Sequence, residues 1–509
     1  MLRKYPIGIQ SFRKIREGSY LYIDKTEIIH RLVQSGQYYF LSRPRRFGKS
    51  LLVSTIEELF SGSQELFDGL WIHDRWDWRE KHPVIHISFS ELPYKEVGLS
   101  EAITRGLDRN SERLGVKVAG DNIKDRFREL IEKASLKGQV VILIDEYDKP
   151  IIDFLEDPEM MEANRSIMKS FYSILKDSDA HIRFLLMTGV SQFSRVSVFS
   201  DLNNLRNITL STQYGAIAGI TQAELEDNFA PEIAELKKER PDILVQIKDW
   251  YNGYAWNIKT SVYNPFSLLN FMIEPEFQNY WFETGTPSFL FKVLKKMDFY
   301  DIETLEMGRL ELLSDLNIEK PSPGALLFQT GYLTIKNISS DGDIYELGFP
   351  NREVKSSFLD GLLSSYRETY PVGSIAHVAK IKTALRNGDV AEMVSQLSSL
   401  IGSIPYDHWN AGKESIFTII TFLTFKLAGI DVYTEVHSAK GRCDILAMTD
   451  LYIYVLELKL DGTAEQALQQ IKDKNYLQPY KADNRKKLAV GIAFSSEKRN
   501  AGAYLVEEC

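Results

Sequence analysis

A short segment that contains Gly-Lys-Ser near the N-terminus is a candidate for binding a charged ligand. Residues 42–50 read Ser-Arg-Pro-Arg-Arg-Phe-Gly-Lys-Ser and stand between a β-forming run and a helix-forming run, which is the setting that gives a Gly-Lys-Ser sequence its meaning. Gly48 lets the backbone approach a phosphate, and the helix that begins there offers unpaired N–H groups. Lys49 is placed to reach the β- and γ-phosphates, and the Ser50 hydroxyl to ligate Mg²⁺. The predicted ATP-binding residues here are Arg46, Phe47, Gly48, Lys49 and Ser50.

The loop departs from the usual pattern at its start, where Arg43 and Pro44 replace the leading glycine. From Ile28 to Ile56 there are five Lys or Arg and no acid, so the segment has the charge that a triphosphate needs. The alternative is a basic surface turn before a helix, and the context on both sides favours nucleotide binding.

Paired carboxylates follow a buried strand 96 residues further on. The apolar run Val140–Ile144 leads into Asp145 and Glu146. In a Mg²⁺-assisted hydrolase the first carboxylate, here Asp145, orders the metal, and the second, Glu146, polarises an attacking water. The next predicted strand ends at Thr188, at the edge where ligands bind in open parallel sheets. Thr188 is predicted to position the water, with a simple strand terminator as the alternative.

A second set of catalytic candidates lies near the C-terminus. Asp444 and Glu457 fall on two predicted strands of one hairpin, roughly opposite each other, and Lys459 shares a face with Glu457. Two carboxylates can hold Mg²⁺, and a lysine beside the metal can orient the attacking water and stabilise charge at phosphorus. Glu414 and Gln470, on flanking predicted helices, could point into the same cleft. The predicted metal ligands are Glu414, Asp444 and Glu457, beside Ser50 and Asp145 in the first site.

The fragment Glu-x-Lys alone is usually a solvated strand edge, and the ordered set of five residues is what favours a metal-dependent phosphodiesterase. From Glu465 to Arg499, eight Lys or Arg stand against four acids. This sign of charge suits a phosphate backbone, although an ordinary basic surface would show it too.

The predicted helices and strands around these residues form two α/β regions, separated by a middle region of different composition. Four short β-runs alternate with helices over the first 220 residues, which predicts a doubly wound parallel sheet. Beyond Thr221 the chain is helical and rich in Trp, Tyr and Asn, and a helix–hairpin–helix order from Ser322 predicts a winged-helix-like module with a DNA-binding or a structural role. From Glu414 the pattern is helix, strand, hairpin, helix and a final strand, Leu488–Phe494.

Composition excludes several classes of protein. The 509 residues carry a net charge of −9 with 44 % hydrophobic residues, which fits about three globular domains and excludes a disordered chain or a wholly basic coat protein. Two cysteines exclude a disulfide framework. No signal peptide or membrane-spanning stretch is evident in the sequence, so a cytoplasmic protein without membrane contact is predicted.

The motifs together resemble a known family. Pro6–Gly8, Asp24–Thr26, residues 43–50, Asp145–Asp148 and Thr188–Val190 are similar to the AAA-ATPase-like family common in gut Bacteroidetes. Gly441–Asp444, Glu457–Lys459 and Gln470–Lys472 resemble the PD-(D/E)xK nuclease-like domain that accompanies it. The resemblance implies a P-loop ATPase of the strand-inserted class, a helical or winged-helix-like lid, and a restriction-endonuclease-like domain. Arg-Pro in place of the leading glycine, as at Arg43 and Pro44, is usual in that family.

The sequence therefore predicts an α/β multidomain protein. Its divisions are a P-loop domain (1–221), a helical and winged-helix-like middle (222–371) and a PD-(D/E)xK nuclease-like domain with a helical lead-in (372–509). The leading functional hypothesis is an ATPase joined to a Mg²⁺-dependent nuclease acting on nucleic acid, with DNA favoured and homo-oligomerisation left open. The alternatives are a nucleotide-switched nucleic-acid-binding or regulatory protein that does not cut, and an ATPase whose C-terminal match is accidental.

Overall fold

The computed structural model describes residues 3–191, 204–282, 288–297, 299–301, 305–308, 322–367, 374–404, 414–438, 441–498 and 500–509. The chain forms two compact units, the first comprising Met1–Pro287 with Ile302–Lys355, and the second Ser288–Asp301 with Ser356–Cys509. The finer division into three domains at 221/222 and 371/372 stays a prediction. The α/β multidomain class is confirmed by a parallel sheet in the first unit and a mixed sheet in the second.

A five-stranded parallel sheet is the centre of the first unit. Its strands are β1 (Tyr38–Ser42), β2 (Val84–Ser88), β3 (Val140–Asp145), β4 (Ile182–Gly189) and β5 (Arg206–Asn207), in the order β2-β3-β4-β1-β5. The first four are apolar runs that the sequence predicts, and nearly every residue in them is buried, as expected of a sheet covered on both faces. Because β4 lies between β1 and β3, the strand-inserted topology places the segments that follow β1, β3 and β4 at one edge.

Helices cover this sheet. Several begin at a side-chain cap or end at a left-handed glycine: Asn122 accepts the Asp125 N–H, and Gly62 and Gly115 have φ of 76° and 63°. The helices before residue 190 are Phe12–Glu17, Thr26–Ser35, Lys49–Ser61, Tyr94–Val97, Leu99–Leu114, Ile123–Ser135, Lys149–Ile152, Pro158–Tyr172 and Ile174–Asp177.

The rest of the first unit has short helices and two small sheets. The predicted helix start at Thr221 is confirmed, since Thr221 and Glu224 form a reciprocal capping box. The helices are Gln222–Asn228, Ala230–Glu239, Ile243–Tyr251, Pro265–Ile273 and Pro323–Thr330. The hairpin of β6 (Tyr254–Asn257) and β7 (Thr260–Val262) precedes a three-stranded sheet of β8 (Leu305–Gly308), β9 (Thr334–Ile338) and β10 (Ile344–Gly348), ordered β8-β10-β9. The predicted order of helix, hairpin and helix is confirmed.

The second unit is built on a five-stranded mixed sheet. Its strands are β11 (Asp431–Ser438), β12 (Gly441–Met448), β13 (Tyr452–Leu460), β14 (Lys486–Ser495) and β15 (Asn500–Glu508), in chain order across the sheet, with only β13 and β14 parallel. The prediction that β14 is the last strand is wrong. The strand β15 starts Asn-Ala-Gly-Ala, a stretch of low β-propensity, and it forms because β14 offers an edge.

Helices accompany this sheet, and in the described residues they are Ser288–Lys296, Arg352–Arg367, Ser374–Asn387, Val390–Gly402, Glu414–Leu427 and Ala464–Lys474. The helix Arg352–Arg367 starts in the first unit and continues into the second at Ser356. The helix Glu414–Leu427, which is strongly apolar in sequence, is buried from Ile419 to Lys426.

Candidate functional sites

A cleft of about 390 Å³ lies at the edge of the first sheet where β1, β3 and β4 end. Among its lining residues are Arg45, Arg46, Gly48, Lys49, Ser50 and Glu146. Gly48 has a φ of 86°, and a Cβ placed on it would have no atom within 4 Å, so the loop backbone is open for close approach. The structure thus brings the predicted loop and the predicted catalytic carboxylate to one cleft.

Lys49 stands at the start of the helix Lys49–Ser61 and is only 5 % exposed. Its Nζ donates to the carbonyl oxygens of Arg43 and Pro44, each at 2.9 Å. Burial lowers the pKa of Lys49, and the charges of Asp145 and Glu146 act in the opposite direction. The ammonium therefore stays beside the cleft, held by two main-chain carbonyls.

Asp145 and Thr188 lie on neighbouring strands and contact each other. The Thr188 hydroxyl donates to Asp145 Oδ1, and both residues are buried. Glu146 follows with a φ of 52°, in the left-handed region, which turns its side chain into the cleft. Burial raises the pKa of Glu146, with Asp145 adding to the effect and Lys49 opposing it, as suits a group that is to accept a proton from water.

Two loop side chains point away from the cleft. Arg43 is fully buried, its guanidinium donates to the carbonyl of Thr209 at 3.0 Å, and it stacks 3.9 Å from the Trp256 ring. Burial lowers the pKa of Arg43 to about 9. The Phe47 ring packs edge-on against Tyr254 at 4.7 Å. Arg43 is therefore a structural support of the loop, and Phe47 can meet a nucleotide only through its main chain. Arg46 lines the cleft with its guanidinium 4.8 Å from the Phe266 ring.

Sequence reasoning missed much of the cleft wall. Residues Pro6–Gln10, together with Pro265, Phe266 and Leu269, line the same cleft. Asp148 is also buried, and its Oδ2 accepts the Ser191 N–H and hydroxyl, both at 2.7 Å. Pro6 and Asp148 are visible in the sequence as parts of family-like motifs, whereas nothing in their spacing from Lys49 reveals that they approach it.

The second site lies where β12 and β13 of the mixed sheet pair. Ile445 is opposite Leu456, so the next residues outward, Asp444 and Glu457, are neighbours as predicted. Asp444 Oδ2 accepts the main-chain N–H of Leu458 at 2.8 Å. Burial raises the pKa of Asp444.

Glu457 is the centre of this site and is 1 % exposed. Its Oε1 accepts bonds from Lys459 Nζ, at 3.2 Å, and from Gln470 Nε2. Its Oε2 is buried and accepts no hydrogen bond from any residue that the structure describes. Burial raises the pKa of Glu457 to about 7, and the neighbouring Asp444 adds to the rise. Lys459 and Gln470 thus converge on Glu457, as the sequence predicts.

Glu414 approaches the same strand from the helix Glu414–Leu427. Its Oε2 accepts the main-chain N–H of Leu460 at 2.9 Å. Within the described part of the chain, no three His, Cys, Asp or Glu side chains are grouped closely enough to hold a metal. Asp444 and Glu457 are the two carboxylates that the structure places side by side, and the metal-ligand roles of Glu414, Asp444 and Glu457 stay predictions.

The pair fits a hard divalent cation. A buried carboxylate oxygen without a partner, next to a second carboxylate, is the donor that Mg²⁺ prefers, with water filling its remaining positions. The phosphate-binding cleft likewise fits a nucleotide, since it combines an open glycine backbone, a buried ammonium and two acidic residues.

The winged-helix-like segment does not offer a recognition helix. Residues 324–330 of the helix Pro323–Thr330 are all buried, and a Cβ on Gly324 would clash with Met307 Sδ. The next residue after the helix, Gly331, is equally tight, because a Cβ on it would lie 2.6 Å from Pro44 Cγ. Of the two roles left open by the sequence, the structural one is favoured, because a helix that enters a DNA groove must be exposed.

Two family models match the chain. A model described as a predicted AAA-ATPase matches residues 6–199, and a model of the PD-(D/E)XK nuclease superfamily matches residues 412–504. The chain belongs to this family of AAA-ATPase-like proteins with a PD-(D/E)XK nuclease-superfamily domain. The family predicted from the motifs is confirmed, and the link to Bacteroidetes stays a prediction.

One relative resembles this AAA-ATPase-like protein over its whole length. It is described as an uncharacterised protein in the vnfD 5′ region of Azotobacter chroococcum mcd 1, and it is 40 % identical over 518 residues, which cover 99 % of each chain. No solved structure matches the chain. In the described residues, no helix has the length and apolar character needed to cross a membrane.

Proposed function

We propose that this AAA-ATPase-like protein binds and hydrolyses ATP and cleaves DNA with Mg²⁺. It would act in the cytoplasm, without membrane contact. The observation that carries the nuclease half is that Lys459 and Gln470 both bind Oε1 of Glu457, on the strand beside Asp444, while Oε2 is buried and accepts no bond from a described residue. A buried carboxylate oxygen that accepts no bond is costly, and a cation at this position would compensate it.

In the phosphate-binding cleft, different residues would bind the phosphates, hold the metal ion and accept the proton. The N–H groups at the start of the helix Lys49–Ser61 and the Lys49 ammonium would hold the phosphates. Ser50 and Asp145 would hold the Mg²⁺ of the nucleotide, with Thr188 fixing the orientation of Asp145. Glu146, whose pKa is raised by burial, would accept the proton of the attacking water.

In the nuclease-like site, Asp444 and Glu457 would hold the divalent ion. When bound, that ion polarises the scissile phosphate and activates a water. Gln470 fixes the carboxylate of Glu457 by donating to Oε1, and Lys459 keeps a positive charge beside the carboxylates, which raise its pKa against the effect of burial. The ammonium would stabilise the charge that develops at phosphorus.

DNA is the proposed partner because the surface that follows β13 is basic. Of the eight Lys and Arg between Glu465 and Arg499, Lys472, Arg485 and Lys486 are bound to acids, whereas the side chains of Lys474 and Lys481 are exposed. Exposed lysines near a cleavage site would contact the phosphate backbone, and such binding weakens as salt rises.

The test is to incubate the purified full-length protein with supercoiled plasmid, linear DNA and RNA of the same sequence, with ATP, Mg²⁺, both or neither. ATP hydrolysis and metal-dependent DNA cleavage would support the proposal. Binding of DNA without cleavage in every mixture would support the nucleotide-switched binding protein. Absence of both nucleotide binding and nucleic-acid binding would overturn both.

A further inference from the structure

Trp281 joins the phosphate-binding loop to the middle of the first unit. The side chain is fully buried, and its indole Nε1 donates to the carbonyl oxygen of Arg45, within the loop, at 3.1 Å. Its main-chain N donates to Glu353 Oε1 at 2.7 Å. The ring packs against Tyr332, with 5.2 Å between ring centroids. A rigid, tightly packed residue therefore links a loop carbonyl to Glu353.

Glu353 lies in the first turn of the helix Arg352–Arg367 and is fully buried. Its Oε1 also accepts the Ser267 hydroxyl, at 3.0 Å, from the helix Pro265–Ile273 that lines the nucleotide cleft. The helix Arg352–Arg367 belongs to the first unit as far as Lys355 and to the second from Ser356 onward. Because one hydrogen-bonded helix spans this boundary, a shift of its first turn would be carried into the unit that contains the nuclease-like site.

The far part of this helix is firmly anchored in the second unit. Phe358 packs against Phe291 with ring centroids 5.5 Å apart. Arg367 is buried and donates to the Ser403 hydroxyl at 2.5 Å, at the end of the helix Val390–Gly402. That helix packs against the helix Glu414–Leu427, whose Glu414 bonds to β13. The contacts therefore continue to the strand that carries Glu457.

Nucleotide binding would disturb the loop at the start of this chain of contacts. Lys49 bonds to the carbonyls of Arg43 and Pro44, and phosphate oxygens would compete for the same ammonium. The loop has little space behind it, because a Cβ on Gly331 would already come within 2.6 Å of Pro44. A change at Arg43–Arg45 is thus passed on to packed neighbours.

We propose that nucleotide occupancy of the loop regulates the nuclease-like site through Trp281, Glu353 and the helix Arg352–Arg367, an inference that rests on the proposed function. Trp281 and Glu353 are positioning residues that act through the loop and the helix. Couplings between sites commonly change affinity about 5–150-fold, so the rate of DNA cleavage should differ by a factor in this range between nucleotide-free and nucleotide-bound protein.

The first experiment does not depend on cleavage. Hydrogen exchange of residues 356–367 is measured in the full-length protein with and without a non-hydrolysable ATP analogue and Mg²⁺. Trp281→Phe keeps a ring and removes the indole donor. Trp78→Phe is the matched control, because Trp78 Nε1 donates to the His73 carbonyl at 2.7 Å, outside the loop. The analogue should alter exchange in wild type and in Trp78→Phe, and not in Trp281→Phe, with analogue affinity retained.

The second experiment measures the ratio of plasmid cleavage rates with and without the analogue. Glu353→Gln keeps the acceptor oxygen and should keep the wild-type ratio of cleavage rates. Glu353→Leu and Trp281→Phe should each bring this ratio close to 1. The melting temperature of Glu353→Leu checks that this variant is folded. The inference is overturned if the analogue does not change hydrogen exchange at residues 356–367 in the wild type. It is also overturned if the analogue changes this exchange equally in Trp281→Phe and in the wild type. A normal exchange response in a protein that never cuts DNA supports the coupling and instead refutes the nuclease.

Discussion

The two candidate sites both place carboxylates at paired strands, and they differ in how those groups are satisfied. In the phosphate-binding cleft, Asp145 accepts a bond from Thr188, and Lys49 is held by two main-chain carbonyls. In the nuclease-like site, Glu457 Oε2 is buried and has no hydrogen-bond donor within the described part of the chain. Asp145 and Lys49 thus have hydrogen-bond partners before any ligand binds, whereas Glu457 keeps a buried acceptor oxygen for a cation.

This difference indicates two ways of building a phosphate-handling site. Lys49 has three N–H donors, and two of them already bind loop carbonyls. A ligand that uses Lys49 for both the β- and the γ-phosphate therefore competes with at least one of these loop bonds. A cation that enters the second site would bind the Glu457 oxygen that accepts no bond from a described residue, and it would compensate a group whose burial is costly. The first arrangement suits a switch, and the second suits a preorganised catalytic centre.

The largest effect is expected from Asp444→Asn. Asn keeps an oxygen that can accept the Leu458 N–H and removes one of two carboxylates. Removal of a residue that hydrogen-bonds to a metal ligand lowers metal affinity or activity by about 10–100-fold. Removal of the ligand itself should therefore lower the rate of plasmid cleavage by at least about 100-fold. Asp473→Asn, on the exposed face of the helix Ala464–Lys474, is the control. Cleavage retained in Asp444→Asn would place the metal elsewhere.

Lys49→Ala tests the other site. The change removes the ammonium that would face the phosphates, and a charged hydrogen bond of this kind is worth about 1.5–3 kcal/mol, so ATP affinity measured by calorimetry should fall roughly 10–150-fold. Glu146→Gln should bind ATP normally and lose hydrolysis. Both variants should retain metal-dependent cleavage. Unchanged ATP affinity in Lys49→Ala would contradict the assignment of the loop.

Gln470→Ala tests whether the hydrogen bond to Oε1 of Glu457 orients this carboxylate for a metal ion. Gln470 donates to Glu457 Oε1, so its loss should weaken metal affinity by about 10–100-fold. Gln469→Ala is a matched control one residue away, because Gln469 instead donates to Asp473 at 2.8 Å. Equal metal affinities in the two variants would show that Gln470 does not orient Glu457.

Both sites were predictable in part because their chemistry is local in sequence. The loop at 42–50 and the carboxylates after β3 follow apolar strands. Strand alternation places Glu457 and Lys459 on one face, and the predicted hairpin brings Asp444 roughly opposite Glu457. The strands β1 to β4 were predictable for the same reason, since buried parallel strands read as uninterrupted apolar runs.

What the sequence could not show depends on long-range contacts. Nothing local indicates that Pro6 or Phe266 lines the cleft, that the Arg43 side chain turns inward onto Trp256, or that Trp281 meets the loop carbonyl of Arg45. The strand β15 was missed because its stability comes from pairing with β14 rather than from its own residues.

The smallest effect concerns stability and pH. Burial raises the pKa of Glu353 from 4.5 to about 8, so between these values the folded protein keeps a proton that the unfolded chain loses. The Glu353 contribution should therefore destabilise the fold as pH rises from about 4.5 to about 8, with a slope of at most about 1.4 kcal/mol per pH unit. The melting temperature of Glu353→Gln relative to wild type should rise across this range. A melting-temperature difference between Glu353→Gln and wild type that does not depend on pH would contradict the raised pKa of Glu353.

Glu457 and Asp444 are proposed to form a cation site that is preorganised without nucleotide, and a count of bound metal tests this claim. Electron paramagnetic resonance reports free Mn²⁺ as it is titrated into the full-length protein in the absence of ATP. The wild type should bind one Mn²⁺ that Mg²⁺ displaces, and both Glu457→Gln and Asp444→Asn should lose that site while Lys49→Ala keeps it. Equal Mn²⁺ binding in wild type and Glu457→Gln would contradict the claim.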